Sequence, residues 1–306
     1  MRLSAGKHNR LAHSWYAPGV NLSVLMTVYG GEQPAALALA LRGLAAQSRP
    51  AEEVVLVKDG PLGAELEQTI ARFEGQLPLV VLALPKVGRG SALQAGVERC
   101  KGEWIAIADS DDVSVPERFA RQLEMARQHP EIDVEGGVIA EFDRDPSRVC
   151  TLRLPPVGEK AIRRFARWRN PINHSSVILR RSAVLRAGNY SSLCLCQDYE
   201  LIVRMLLQGS RIYNGREVLS LVRSGKGMLQ RRGGWQYLRL EAELQRSYIR
   251  MGFLSPWQAA VNLLLRAPVR LAPAWLRRCV YQHLLRHRPP AAAEGSKFQS
   301  HWPPVA

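Results

Sequence analysis

Short apolar runs alternate with amphipathic stretches through the first part of the chain. The runs predict strands over residues 22–28, 53–58, 79–84 and 104–108, and the stretches between them predict helices over residues 34–47, 64–73 and 91–100. Strands that alternate with helices form right-handed βαβ units, whose strands lie parallel in one sheet. The pattern therefore predicts an α/β fold that binds a ligand beyond the carboxyl ends of its strands.

The pattern is less regular after residue 112. A helix is predicted over residues 116–129, strands over 134–142 and 177–180, and a further helix over 199–207. Residues 144–170 are basic and show little strand pattern, so we expect loops there. We expect a flexible tail over residues 1–20, an α/β domain over 21–225, a helical region over 226–288 and a disordered, proline-rich tail over 289–306.

Composition narrows the class of protein. A chain of 306 residues with 46% hydrophobic residues can bury a full core, which argues against a disordered protein. The formal net charge of +15 favours a polyanionic partner: a nucleic acid, a phosphorylated substrate or an anionic bilayer. No apolar run approaches the ~20 residues of a membrane-spanning helix, and residues 1–10 lack the apolar region of a signal peptide. The five scattered cysteines fit reduced thiols in the cytosol.

Three carboxylates follow the predicted strand over residues 104–108, at Asp109, Asp111 and Asp112. Carboxylates this close repel one another, so they need a cation, a solvated turn or protonation to coexist. Their oxygens suit Mg²⁺ or Mn²⁺ held jointly with the phosphates of a substrate. A turn that caps the helix after Pro116 would explain an isolated pair of such acids equally well.

The ends of the other strands also carry polar or aromatic side chains. Thr27 and Tyr29 end the first strand, and Asp59 ends the second. Tyr29 can stack on a planar base while Asp59 accepts a hydrogen bond from a base N–H. Each position alone also fits a turn or a packing role, but their order along one βαβ series favours a shared binding site. Arg89, between two glycines where the third helix begins, adds positive charge at a helix N-terminus, which favours anions.

A further acid, Asp198, stands where the helix over residues 199–207 begins. It can cap that helix, or it can act as a general base. A displacement on a phosphate-activated substrate needs a carboxylate that accepts the proton of the attacking hydroxyl. The strand-end acids would then hold the leaving group, and Asp198 would supply the base.

Together these motifs resemble the family 2 inverting glycosyltransferases of GT-A fold. The segments that carry the resemblance are residues 23–29, 55–60, 88–96, 109–119 and 197–201. Residues 169–177 and 181–188 are similar to the branch that builds bacterial exopolysaccharide and capsule repeat units, the amylovoran type. Residues 231–234 and 252–255 resemble the same branch.

The resemblance implies a GT-A fold, Rossmann-like with a mostly parallel sheet, and a metal-dependent inverting transfer. The donor would be a nucleotide-diphosphate sugar, expected to be UDP-linked, and the acceptor a lipid-linked saccharide. The implied cofactor is Mg²⁺ or Mn²⁺. The implied location is cytoplasmic, on the inner face of the plasma membrane.

The resemblance also implies roles for single residues. Asp59 would contact the base of the donor, Asp109 its ribose or sugar, and Asp111 the metal ion on the diphosphate. Asp198 would be the catalytic base. His174 would lie near the acceptor or the diphosphate, although a loop histidine held by hydrogen bonds is the more common finding.

Thr27, Tyr29 and Arg89 complete the predicted donor site. One departure from the family concerns the residue before the base, which is commonly an acid and here is Gln197. The glutamine removes a negative charge from the surroundings of the base.

The C-terminal region is strongly basic. Between Glu243 and Glu294 there are eight arginines and no acid, interleaved with tryptophan and leucine. A helix over residues 273–287 would place leucines on one face and arginines towards the other, which favours an anionic membrane surface. The alternative is a helical pair packed on the α/β domain with a solvated basic face. A nucleic-acid partner is not expected, because no base-reading motif accompanies the charge.

Two other functions compete with glycosyl transfer. A nucleotidyltransferase that makes activated sugars would need a glycine-rich basic signature after the first strand, and residues 27–33 lack it. A non-catalytic protein that binds membranes or nucleic acid would leave the strand-end acids without a role.

Overall fold

The computed structural model describes residues 21–193, 196–224, 233–273 and 276. The predicted tails over residues 1–20 and 289–306 lie outside this part of the chain, as do the domain boundary near residue 225 and nearly all of the predicted helix over residues 273–287. The strands are β1 (Leu22–Tyr29), β2 (Glu53–Asp59), β3 (Leu79–Leu84), β4 (Trp104–Asp109), β5 (Val113–Ser114), β6 (Val134–Phe142), β7 (Val149–Arg153), β8 (Ile178–Arg180) and β9 (Ile212–Arg223).

The described helices are α1 (Pro34–Ala45), α2 (Ala64–Ala71), α3 (Arg89–Arg99), α4 (Arg118–Gln128), α5 (Glu159–Ala166), α6 (Arg181–Arg186), α7 (Gln197–Leu207), α8 (Trp235–Arg250) and α9 (Pro256–Leu271), with a 3₁₀ turn over His174–Ser176. Helices α1 to α4 and α7 lie within a few residues of their predicted bounds, and α8 and α9 lie in the region predicted to be helical. None of the helices that the structure describes is long and apolar enough to cross a bilayer.

One sheet contains all of these strands, in the order β3-β2-β1-β4-β8-β6-β9-β5, with β7 paired to β6. The first four strands are parallel, as the βαβ pattern predicted. The second half is mixed, because β8 is antiparallel to both β4 and β6, whereas β9 is parallel to β6. The α/β architecture with C-terminal helices is therefore confirmed.

Buried side chains on both faces explain the unbroken apolar strands. Successive residues of a strand point to opposite faces of the sheet. Val24 and Met26 pack with α1, α2 and α4, whereas Leu25 packs with α3 and α7. The central strands are thus covered by helices on both sides, which leaves their carboxyl ends as the accessible edge of the sheet.

The expectation of loops over residues 144–170 is wrong, because this stretch contains β7 and α5. Strand β7 pairs with β6 alone among the described strands, and none of its residues is fully buried. Helix α5 buries only Ile162 and Ala166. Strand β7 has five residues and α5 has eight, so each is too short for its pattern to stand out in the sequence.

The C-terminal helices α8 and α9 pack on the α/β domain. Tyr248 of α8 is fully buried, and its ring centroid lies 5.1 Å from that of Tyr199 in α7. Asn262 of α9 donates a hydrogen bond to the carbonyl of Arg167 over 3.0 Å. The described part of this region therefore forms a helical pair that is joined to the domain.

Candidate active site

The carboxyl ends of β2, β1 and β4 lie side by side. Tyr29 is aligned with Asp59 across β1 and β2, and Thr27 with Asp109 across β1 and β4. Tyr29 is 41% exposed, so its ring is open to a ligand. The four strand-end residues of the predicted donor site therefore share one edge of the sheet.

A chain of polar contacts runs from this edge into the protein. Arg89, the first residue of α3, donates from Nη2 to Oδ1 of Asp109 over 2.5 Å. The same Nη2 lies 3.4 Å from Nδ1 of His174, and Nε2 of His174 lies 2.9 Å from the hydroxyl oxygen of the buried Tyr190. Because Arg89 can only donate, Nδ1 of His174 accepts, and Nε2–H donates to Tyr190. Sequence reasoning missed Tyr190, since no motif marks it.

Charge and burial shift the pKa values of Arg89, Asp109 and His174. The carboxylate of Asp109 raises the pKa of Arg89 above its usual range. Burial favours a higher pKa for Asp109, but Arg89, together with His174 and Arg118, outweighs burial and holds this pKa below its usual value. Burial lowers the pKa of His174. At neutral pH the site therefore holds a cationic Arg89, an anionic Asp109 and a neutral imidazole.

The other two acids after β4 have different surroundings. Burial and the charges of Asp109 and Glu32 raise the pKa of Asp111 to about 6. Glu32, from the loop after β1, accepts a hydrogen bond from the hydroxyl of Ser110 over 2.9 Å, and sequence reasoning missed it. Asp112 is buried, and its Oδ1 accepts the backbone N–H of Arg223 over 2.9 Å. Asp112 therefore supports β9, while Asp111 is left partly exposed.

Asp59 is buried at the end of β2. Its Oδ1 accepts the backbone N–H groups of Val87 and Gly88, over 2.7 Å and 3.0 Å. These bonds fix the turn that leads into α3, where Gly88 has a φ of +88°. Asp59 thus positions Arg89 through the backbone, and its contact with the donor base stays a prediction.

Gly90 allows the first turn of α3 to contact the backbone at Ser191, in the segment that precedes Asp198. A Cβ atom at this position would collide with the carbonyl oxygen of Ser191, so only glycine allows this approach. Glycine at residue 90 therefore serves a contact within the protein.

Asp198 is the second residue of α7, so the alternative that it caps this helix does not hold. Cys196 occupies the cap position, with a left-handed φ of +60°. Oδ2 of Asp198 accepts a hydrogen bond from Nδ2 of Asn170 over 2.7 Å. His174 and Arg89 both interact electrostatically with Asp198 as well as with Asp109. The predicted base is thus close to the predicted donor site and is held by an asparagine that sequence reasoning missed.

A cavity of about 220 Å³ lies beside Asn170. It is bounded by β7, the loop after it, α5 and the segment before the 3₁₀ turn. Two arginines, Arg153 and Arg169, line it together with the apolar side chains of Leu154, Pro155, Pro156, Phe165, Pro171 and Ile172. Because Asn170 lines the cavity and also contacts Asp198, the cavity lies next to the predicted base.

Arg118 is 0% exposed and links β4 to the segment after the His174 turn through hydrogen bonds. Its Nη2 donates to the carbonyls of Ile107 and Val177, over 2.9 Å and 3.0 Å. These carbonyls belong to β4, which ends at Asp109, and to the segment that follows the His174 turn. Burial lowers the pKa of Arg118 to about 9. Its motif, residues 116–119, was recognised from the sequence, but this role was not.

We expect Asn170→Ala to lower kcat by about tenfold, because one hydrogen bond to a charged group is worth roughly 1.5 kcal/mol. The variant leaves the contacts of Arg89 and Asp109 intact, so its donor affinity should equal that of the parent. Steady-state kinetics together with donor titration would separate the two effects. Equal kcat values for variant and parent would show that Asn170 does not position the base.

Comparisons with known proteins agree with this geometry. Residues 23–188 match the family model described as glycosyl transferase family 2. The amylovoran biosynthesis glycosyltransferase AmsE of Erwinia amylovora is 35% identical over 261 residues, which are 85% of this chain and 97% of that protein. An Escherichia coli UDP-Gal:alpha-D-GlcNAc-diphosphoundecaprenol beta-1,3-galactosyltransferase is 28% identical, over 86% of this chain and 96% of its own.

A solved structure shows the same fold. The S. aureus TarS fragment 1-349, in complex with UDP-GlcNAc, superposes with a TM-score of 0.61 and 17% identity, over 85% of this chain and 75% of the fragment. The predicted GT-A fold is therefore confirmed.

The family match covers more than half of the chain, and AmsE is aligned over nearly its whole length. Neither rival function from the sequence, nucleotidyl transfer or non-catalytic binding, fits that result. The chain belongs to glycosyl transferase family 2 and is a glycosyltransferase.

Proposed function

We propose that this enzyme moves a sugar from a UDP-sugar to a lipid-linked saccharide, with inversion at the anomeric carbon, in the synthesis of a cell-surface polysaccharide. The observation that carries the proposal is the position of Arg89, which interacts with Asp109, Asp198 and Asp111. The predicted donor acids and the predicted base thus surround one guanidinium. AmsE is an amylovoran biosynthesis glycosyltransferase, which supports a role in polysaccharide synthesis. The E. coli galactosyltransferase acts on a sugar linked to diphosphoundecaprenol, which supports an acceptor linked to lipid through a diphosphate.

A divalent cation fits the acids after β4. Glu32 and Asp109 place negative charge next to Asp111, and this repulsion helps to raise the pKa of Asp111 to about 6. Among the described residues, no three His, Cys, Asp or Glu side chains form a closed metal site. This suits Mg²⁺ or Mn²⁺ held by Asp111 with its remaining ligands from the donor. When bound, the ion would neutralise charge on the leaving diphosphate.

Asp198 supplies the proton acceptor. In an inverting transfer the acceptor oxygen forms its bond to the anomeric carbon as the bond to the diphosphate breaks, so one base is sufficient. The carboxylate of Asp198 takes the hydroxyl proton, and Asn170 orients it through Oδ2. His174, neutral and fixed by Tyr190, keeps Arg89 in place beside Asp109.

The acceptor enters through the cavity beside Asn170. Its apolar walls suit the faces of sugar rings, and Arg153 and Arg169 provide positive charge for a phosphate. An acceptor linked to a lipid through a diphosphate carries both features. Such an acceptor places the enzyme on the inner face of the plasma membrane.

A thermal-shift panel tests the donor part of this proposal. We expect a UDP-sugar with Mn²⁺ to raise the melting temperature, since a ligand at 100 times its Kd adds about 2.7 kcal/mol to stability. The same nucleotide sugar with EDTA, and the matching GDP-sugar with Mn²⁺, are the controls. An equal shift with EDTA would contradict metal dependence, and a shift from the GDP-sugar alone would contradict the uridine donor.

A further inference from the structure

Helix α9 is oriented with its polar side chains inward and its apolar side chains outward. On the inward side, Asn262 donates to the carbonyl of Arg167, and Arg266 donates to that of Trp168. Arg266 and Arg270 both pair with Glu241 of α8. Two of the eight C-terminal arginines therefore join the helix to the protein and are not part of a solvated basic face.

The opposite side of α9 is apolar and exposed. Trp257 is 78% exposed, Leu264 73% and Leu265 62%. These positions and the half-buried Val261 are spaced four, seven and eight residues from the first, so they form one stripe along the helix. A helix in water normally buries such a stripe, so this one calls for an apolar partner.

Exposed tryptophans lie near both ends of α9. Trp257 is the second residue of α9 and the first of the stripe, and Trp235, 75% exposed, begins α8 close to the end of α9, since Gly234 N–H donates to the carbonyl of Arg270 over 2.9 Å. Tryptophan concentrates at the boundary between lipid and water, where its ring is apolar and its N–H remains hydrated. A helix of 16 residues is about 24 Å long, which suits a helix lying in the plane of the interface.

The charge of the sequence on either side of this helix favours an anionic partner. The sequence contains eight arginines and no acid between Glu243 and Glu294. The preceding acids are paired, Glu241 with Arg266 and Arg270, and Glu243 with Arg239. A second copy of a chain with a net charge of +15 would be repelled, whereas an anionic bilayer would be attracted.

We propose that α9 docks on an anionic lipid bilayer with the stripe of Trp257, Val261, Leu264 and Leu265 inserted into the interface. The proposal deepens the proposed function, on which it rests for the lipid-linked acceptor. Helix α9 binds the carbonyls of Arg167 and Trp168, and Asn170, two residues further on, contacts Asp198. Docking would therefore bring the bilayer close to the acceptor cavity.

Flotation with lipid vesicles tests this assignment on the full chain. The vesicles contain phosphatidylglycerol with phosphatidylethanolamine, or phosphatidylcholine alone. We expect binding to the anionic vesicles and a loss of about a hundredfold in affinity for the double variant Leu264→Glu/Leu265→Glu, since each leucine withdrawn from lipid costs about tenfold. The matched control is Leu185→Glu, at an exposed leucine of α6, which should bind as the parent does.

Tryptophan fluorescence gives an independent measurement. Brominated lipid should quench the parent, and the part of this quenching due to Trp257 should vanish in Trp257→Phe, which is expected to fold even if the glutamate variant does not. Without vesicles, iodide should reach Trp257. Shielding from iodide would indicate that another part of the chain or a second copy covers the stripe, and would overturn the proposal.

Activity on a water-soluble, short-chain acceptor separates the two proposals. Normal turnover there by the double variant, with vesicle binding lost, supports docking by α9. Vesicle binding without turnover on any donor would refute the proposed function and leave the docking proposal standing. Undiminished vesicle binding by the double variant, or equal binding to neutral and anionic vesicles, would refute docking on an anionic surface.

Discussion

We expect Asp198→Asn to lower kcat by about 10² to 10⁴, the loss that follows when a general base is removed. Asparagine has nearly the same shape as aspartate, and its carbonyl oxygen can still accept the hydrogen bond from Asn170 that Oδ2 of Asp198 accepts. Its amide cannot take the proton of the acceptor hydroxyl. Donor binding depends on the strand-end residues, so the donor affinity should be unchanged.

Single-turnover kinetics and donor titration measure the two quantities separately. Asp145→Asn is the matched control, because Asp145 lies in an exposed turn where its carboxylate bonds to Ser147. This control should keep the activity of the parent. Normal turnover by Asp198→Asn would mean that the base is another residue.

We expect Asp111→Asn to abolish the Mn²⁺-dependent part of donor binding. A carboxylate is an anionic oxygen ligand, and its replacement by a neutral amide removes the charge that attracts the ion. Burial and the charges of Asp109 and Glu32 raise the pKa of Asp111, so its ionised carboxylate is disfavoured in the folded protein, and the neutral amide should not lower the melting temperature of the free protein. Isothermal titration of a UDP-sugar, with Mn²⁺ and with EDTA, measures the effect.

The neighbouring Asp112 provides the comparison. It is buried, and its Oδ1 accepts the backbone N–H of Arg223, a role that the carbonyl of asparagine can also fill. Asp112→Asn should therefore retain Mn²⁺-dependent binding. If Asp111→Asn binds the donor as tightly as the parent does in Mn²⁺, the metal role of Asp111 is wrong.

The strand-end residues could be placed from the sequence because their position depends on local pattern. A parallel strand that is buried on both faces is an unbroken apolar run, and the residue that ends it lies at the binding edge. This reasoning brought Tyr29, Asp59 and Asp109 together correctly. It assigned no role to Arg118, although it recognised the motif around this residue, because its partners Ile107 and Val177 are distant in the sequence.

Asn170 and Tyr190 could not be placed in the same way. Asn170 reaches Asp198 across 28 positions, and Tyr190 reaches His174 across 16, through loops whose course no periodicity predicts.

The C-terminal arginines were noticed in the sequence, but their contacts were not predicted. Their number favoured an anionic membrane surface, with a solvated basic face as the alternative. Arg266 and Arg270 instead share Glu241, and pairing of this kind depends on how two helices pack.

The contact of Gly90 with the backbone at Ser191 has a consequence for engineering this enzyme. Gly90 has no side chain to separate α3 from the segment that precedes Asp198, the predicted base. A library that diversifies residues 88–90 would therefore disturb α3 and this segment together. The loop after β7 is different, because Leu154 lines the cavity proposed for the acceptor and is half-exposed. A search for variants with an altered acceptor range should therefore begin at residues 154–157.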